Sequence, residues 1–219
     1  MYITKKKVIE LYFRYGIQLE YKKNKNTYPF YDLPKKGKTI FLGEGNFSFA
    51  LDIAKNNLNY NQNILATDIK EDYSEEETKI NILSLVELEV DVLLGIDATR
   101  LKNNLGKFDF VIFQFPHSGS REPIENRHSN FILIRDFLNS VKNITNLNSH
   151  IIITIVDTEY YQRAFSIDEA LEITGYQIIE TYNFVPSKFI GYNHIMTNSN
   201  ESAIENYNNF ITLELKRKT

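Results

Sequence analysis

Past Lys38 the chain alternates short runs rich in β-branched and aromatic residues with stretches of helical period, the mark of βαβ units assembling into a mostly parallel sheet. Seven strands are predicted, near Thr39–Leu42, Asn63–Thr67, Val90–Ile96, Phe108–Phe115, His150–Val156, Tyr176–Phe184 and Phe210–Lys216. Between the first two, Phe49, Ala50, Ile53 and Ala54 recur at helical spacing, and Ser74 with Glu77 forms a capping box ahead of Ile80, Leu83 and Val86. A longer helical pattern spans Ile124 to Val141, and another from Ile167 to Thr174 stops at Gly175. Pro186 to Asn209 has no apolar period, so the last two strands are expected as an antiparallel pair joined by a long loop. The pattern therefore predicts an α/β fold: a seven-stranded, mostly parallel sheet ending in a C-terminal antiparallel hairpin.

At 219 residues the chain has room for one sizeable domain with an appendage. We place the domain at 39–219 and the appendage at 1–38. That appendage holds ten Lys/Arg against three acids, a net +7, and the other 181 residues carry −10. Among its lysines lie Tyr2, Tyr12, Phe13, Tyr15, Tyr21, Tyr28, Phe30 and Tyr31, the mix of phosphate neutralisers and stacking rings that single-stranded RNA contacts use. A second reading, compatible with the first, makes Val8, Ile9, Leu11, Tyr12 and Phe13 the apolar face of a helix packed on the domain. No run approaches the roughly 18 apolar residues of a membrane span, and Met1–Lys7 has charge without an apolar stretch behind it. An intracellular location is expected, cytoplasmic in a bacterium or nucleolar in a eukaryote.

In an open parallel sheet ligands bind beyond the carboxyl ends of the strands, so the residues just after each run are the informative ones. After the first strand comes Gly43-Glu44-Gly45-Asn46-Phe47-Ser48, whose glycines let backbone approach a ligand and whose following helix offers free N–H groups. The third glycine of a dinucleotide fingerprint is absent, which disfavours NAD. Asp68, at the tip of the second strand, is placed to accept hydrogen bonds from ribose hydroxyls, or it caps a turn. Asp97, followed by Ala98, suits an adenine amino group, with capping again the alternative. Gln114-Phe115-Pro116-His117 ends the fourth strand at the edge of the same cleft, facing a substrate. Together these point to a nucleoside-type cofactor.

The blocks Phe41–Phe49, Ala66-Thr67, Val92–Leu101, Phe108–His117, Asn126-Arg127 and the late Phe184 with Phe189-Ile190-Gly191-Tyr192-Asn193-His194 resemble the large-subunit ribosomal RNA uridine-N3 methyltransferase-like family, over about residues 39 to 195. The resemblance implies a Rossmann-like class I methyltransferase fold, S-adenosyl-L-methionine as cofactor and ribosomal RNA as partner. This chain departs from the family pattern at Gln114, where Asn is usual, at Ile190, where proline is usual, and at Asp68-Ile69-Lys70.

Composition narrows the chemistry independently. The chain has no cysteine, which excludes cysteine-ligated zinc, iron–sulfur clusters and a cysteine nucleophile for pyrimidine C5 methylation. Transfer of a methyl group to nitrogen or oxygen remains. For a uracil imide nitrogen a proton must leave, so a base or an anion-stabilising donor is required. Gln114 with the Phe115-Pro116 backbone is expected to hold the base, and His117 to assist deprotonation or to stack. Arg127, His128 and His194 are secondary candidates. No carboxylate lies near His117 and His128 at ligand spacing, so no metal site is expected, and Ser118 and Ser120 lack the nucleophile elbow of acyl transfer. Two alternatives stay open: a methyltransferase for a small molecule or protein, and a non-catalytic module that binds nucleotide or RNA.

Overall fold

Side chains alternate across a strand, and in β2 (Thr39–Leu42) Ile40 and Leu42 join one buried cluster while Phe41 joins the other. The same sorting holds in β5 (Phe108–Gln114), with Val111 and Phe113 opposite Ile112, and in β6 (Thr145–Val156), with Ile151, Ile153 and Ile155 opposite Ile152 and Val156. Strands buried on both faces must be covered on both, and helices supply most of the cover.

The computed structural model describes residues 24–120, 122–194 and 207–218. Besides β2, β5 and β6 these contain β1 (Asn24–Thr27), β3 (Ile64–Thr67), β4 (Asp91–Leu93), β7 (Tyr176–Asn183) and β8 (Phe210–Arg217). The helices are α1 (Leu33–Lys36), α2 (Ser48–Lys55), α3 (Glu76–Glu87), α4 (Ser129–Ser140), α5 (Glu159–Phe165) and α6 (Ile167–Thr174). One sheet results, in the order β4-β3-β2-β5-β6-β8-β7-β1. Every pairing is parallel except those of β8, which runs antiparallel to both β6 and β7. From β2 the chain steps outward through β3 to β4, then returns to add β5 on the other side. The connections leaving β2 and β5 therefore diverge, and a crevice opens above their carboxyl ends.

Eight strands stand where seven are predicted. The additional one is β1, which pairs parallel with the end of β7. Its sequence, Asn-Lys-Asn-Thr, carries no β-branched or aromatic pattern, and edge pairing alone makes it a strand. The third predicted strand is also shorter than Val90–Ile96: β4 stops at Leu93, and the Ile96 N–H turns back to the Asp68 carbonyl at 2.8 Å. The helix predicted from Ile124 begins only at Ser129, with the His128 side chain accepting from the Asn130 N–H as its cap. In α3 the expected apolar face is wrong. Ile80, Leu83 and Val86 are exposed, whereas Thr78 and Leu85 are buried and Ile82 and Leu88 pack against the core. Two stripes compete on that helix. The inward one is fixed by Tyr73 in the core just ahead of it and by Asn81, whose amide donates to the Asn46 carbonyl. Nor does Ser74 cap it, since Glu75 is the cap position and makes no side-chain bond.

Residues 24–38 are built into the domain. Phe30 is fully buried, with its ring edge-on to Tyr28, Phe49, Phe184 and Phe189, and Leu33 is buried beside it. The Tyr28 hydroxyl donates to Glu214 on β8 at 3.1 Å, and that carboxylate also pairs with His150 Nδ1 at 2.5 Å. Three of the rings expected to stack on RNA, those of Tyr28, Phe30 and Tyr31, are thus committed to packing, and the first 23 residues lie outside the described ones. Lys35, Lys36 and Lys38 sit below the amino end of β2, opposite the crevice.

Phe30→Ala should lower the unfolding free energy by about 3–5 kcal/mol in urea titrations, the range for emptying a buried aromatic site. Lys35→Ala, at an exposed ion pair with Asp32, should change it by less than about 1 kcal/mol.

Candidate active site

The turn after β2 is left-handed at Gly43, with φ 64°, and a Cβ there would stand 2.7 Å from the Phe113 ring. Only glycine fits. Gly45 then donates its N–H to Asp68 Oδ2 at 2.6 Å, and the other Asp68 oxygen accepts from the Lys70 N–H at 3.3 Å. One buried carboxylate thereby holds the tips of β2 and β3 together. The N–H groups expected to be free at the start of α2 are taken by the motif itself. Asn46 Oδ1 accepts from Ser48 N–H at 3.1 Å, and Glu44 Oε2 accepts from Ala50 N–H at 2.8 Å. Burial, reinforced by the Asp68 charge, pushes the Glu44 carboxyl up to about 8.

At the tip of β5 the backbone turns sharply. Phe115 is left-handed, with φ 47°, a strained geometry for an aromatic residue, and the rings of Phe184, His194 and Phe210 hold it edge-on. Just before it, the Gln114 amide is buried with neither Oε1 nor Nε2 hydrogen-bonded. His117 accepts from the Gly119 N–H through Nδ1 at 3.0 Å, which fixes its ring near Tyr161. Asp97 uses Oδ1 to accept from the N–H and hydroxyl of Thr99, so it does cap its turn, and its side chain stays one-third exposed.

The remaining wall comes from far along the chain. Gly191 N–H donates to Asp52 on α2 at 3.0 Å, and a Cβ on Gly191 would stand 2.9 Å from that same oxygen. The Asn193 carbonyl accepts from Asn46 Nδ2 at 2.7 Å and from the Ser48 hydroxyl at 2.9 Å. Tyr31 braces Asp52 from the other side, its hydroxyl donating at 2.5 Å. Residues 189–194 are therefore strapped across α2, which brings Tyr192, Asn193 and His194 into the crevice. Burial pushes the Tyr192 hydroxyl well up and lowers the His194 imidazole to about 4.

One cavity results. Of the residues singled out in the sequence, Gly43, Glu44, Gly45, Asn46, Asp68, Asp97, Ala98, Gln114, Phe115, Pro116, His117 and His194 line it. Phe47 and Ser48 do not: Phe47 is a core residue against Tyr73, and Ser48 holds the strap. Arg127 is bound in a two-pronged pair with Glu169 and lies over the Phe131 ring at 4.0 Å, and His128 caps α4, so neither faces the cavity. Tyr192 and Asn193 line it without any local signal in the sequence beyond the Phe189–His194 block. Among the described residues no group of three or more His, Asp or Glu could hold a metal ion, and no helix is long and apolar enough to cross a membrane.

A parallel core with a crevice at its switch point, a glycine turn and an acid after each of the next two strands defines a class I methyltransferase. Solved structures agree on the fold. An S-adenosylmethionine-dependent methyltransferase from Clostridium acetobutylicum is similar, with TM-score 0.51 and 14% identity, over 98% of this chain and 99% of its own. A TehB-like S-adenosylmethionine-dependent methyltransferase from Corynebacterium glutamicum has TM-score 0.50 and 12% identity, over 88% and 89%. An uncharacterised protein from Arabidopsis thaliana is 28% identical over 168 residues, 71% of this chain and 79% of that protein. Residues 40–196 match the BMT5-like family, described as rRNA (uridine-N3-)-methyltransferase BTM5-like, and the chain belongs to that family. It is an S-adenosylmethionine-dependent RNA methyltransferase.

Two outcomes follow for the cavity wall. Because Glu44 is raised above its unfolded value, the stability it contributes is present in acid and is lost as pH rises from about 4.5 to about 8. Glu44→Gln should flatten that part of the stability profile in denaturant titrations of the ligand-free protein. Gly191→Ala should push the strap off Asp52 and raise the S-adenosylmethionine Kd about tenfold or more, read by calorimetry.

Proposed function

We propose that the protein methylates N3 of a uridine in ribosomal RNA, with Gln114 holding the acceptor base. The observation that carries this is the Gln114 amide, buried on the floor of the cavity with donor and acceptor both unpaired. An unpaired buried polar group costs about 1–3 kcal/mol, so such an amide argues for a ligand that completes it. A uracil edge does so. Gln114 Nε2–H donates to a ring carbonyl, where negative charge gathers as the imide ionises, and Oε1 is left for a donor on the cofactor.

The residues present fit S-adenosylmethionine. Gly43 and Gly45, both in the left-handed region, bring the backbone of the turn to the cavity wall without side chains. Asp68 and Asp97 offer carboxylates to ribose hydroxyls and to the adenine amino group, and they give the cavity the sign that suits a cationic ligand. Bound there, the cofactor supplies an electrophilic methyl group. Phe115, Pro116 and the His117 ring form the wall against which the acceptor base lies flat, and they exclude water from it. For the first 23 residues, net +4, we propose contact with RNA phosphates. Ribosomal RNA as substrate implies work in the nucleolus or the cytoplasm.

Methyl transfer from tritiated S-adenosylmethionine onto total RNA, followed by nucleoside analysis, should yield 3-methyluridine. Label only in protein or small molecules would overturn the reading. Gln114→Ala should reduce the rate about 100-fold or more, the scale of losing one anion-stabilising donor. Asp97→Ala should weaken cofactor binding about tenfold, which is about 1.4 kcal/mol. Deleting residues 1–23 should flatten the slope of log RNA affinity against log salt, and an unchanged slope would reject their role.

A further inference from the structure

The chain has four histidines, and three have evident roles. His128 caps α4, His150 pairs with Glu214, and His117 accepts from the Gly119 N–H. His194 is different. Its ring lines the cavity, edge-on to Phe115 at 5.1 Å and to Tyr192 at 6.3 Å, and its Nδ1 is buried without a hydrogen-bond partner. The strap fixes its position, because the residue before it is tied through its backbone to Asn46 and Ser48. Two polar side chains with unsatisfied buried atoms thus line one cavity, Gln114 on its floor and His194 on its wall.

We propose that His194 is a catalytic residue that takes the N3 proton from the base held by Gln114. The proposal rests on the uridine-N3 reading above. An imide nitrogen has its lone pair drawn into two carbonyls and is a poor nucleophile until its proton leaves. Burial keeps the imidazole neutral at physiological pH, so its unprotonated nitrogen is available as acceptor. In the step itself the N3–H bond breaks and its electron pair becomes the new N–CH3 bond. The proton goes to the imidazole, and the pair of the broken C–S bond stays on sulfur, leaving a neutral thioether. The N–H grows more acidic as the N–C bond forms, so a weak base suffices. The other ionisable groups on the cavity wall are Glu44, Asp68, Lys70, Asp97, His117 and Tyr192.

The test compares wild type with His194→Ala and His194→Gln in single turnovers on total RNA from cells lacking the gene, reading 3-methyluridine. Both variants should be slower by about 100-fold or more, the usual scale for removing a general base. Calorimetric affinity for S-adenosylmethionine, and RNA affinity of the cofactor-free protein, should stay within about threefold. Added imidazole should restore His194→Ala at least about tenfold and leave His194→Gln, whose side chain fills the space, unchanged. A rate within threefold of wild type, a parallel loss of cofactor affinity, or a loss in His194→Ala that imidazole does not rescue would each overturn the proposal. Should His194→Ala not fold by thermal melting, the His194→Gln rate and binding data decide in the same way. A wild-type enzyme that forms no 3-methyluridine would instead overturn the uridine-N3 reading itself.

Discussion

A parallel sheet that grows outward from its middle in two directions must leave a gap where the connections diverge, and here that gap lies above β2 and β5. Everything that faces the ligand follows from it. Gly43 turns the chain out of the gap on one side, and Phe115, in a left-handed conformation, turns it out on the other. Between them the ends of the strands present side chains that find no partner within the sheet, and the Gln114 amide is the clearest of these.

The gap alone would be an open groove. Its far wall is a strap, residues 189–194, fastened by Asp52, Asn46 and Ser48 to α2 and its entry turn. The same turn is therefore wall and fastening together: its glycines face the cavity, while Asn46 and Ser48 hold the cover. Tyr31 joins the arrangement by bracing Asp52, which links residues 24–38 to the site. A change in any of these polar contacts should be felt at Tyr192 and His194, several residues away from the change.

Much of the site is legible in the sequence because strand ends are local features. Gly43, Gly45, Asp68, Asp97 and Gln114 each follow directly from a recognisable apolar run, and all line the cavity. Legibility ends where a residue acts at a distance. Asn46 looks like a ligand-binding residue in a glycine turn, yet its side chain contacts a residue 147 positions away. Helix α3 shows two apolar stripes of similar strength, and the choice between them depends on Tyr73 and Asn46, neither of which belongs to the helix. Asn24–Thr27 has a single β-branched residue and no alternation, and becomes a strand by pairing with the edge of β7.

The sequence by itself determined the parallel core, the closing hairpin, the order of the cofactor-facing turns and the absence of cysteine chemistry, since period and residue type are properties of short windows. Tertiary structure alone decided which of the four histidines faces the cavity with an unpaired nitrogen, which candidate residues serve the scaffold, and that Tyr28, Phe30 and Leu33 of the basic segment belong to the core. Those outcomes depend on contacts between positions far apart in the chain, whose formation is governed by burial and by hydrogen-bond satisfaction across the whole fold.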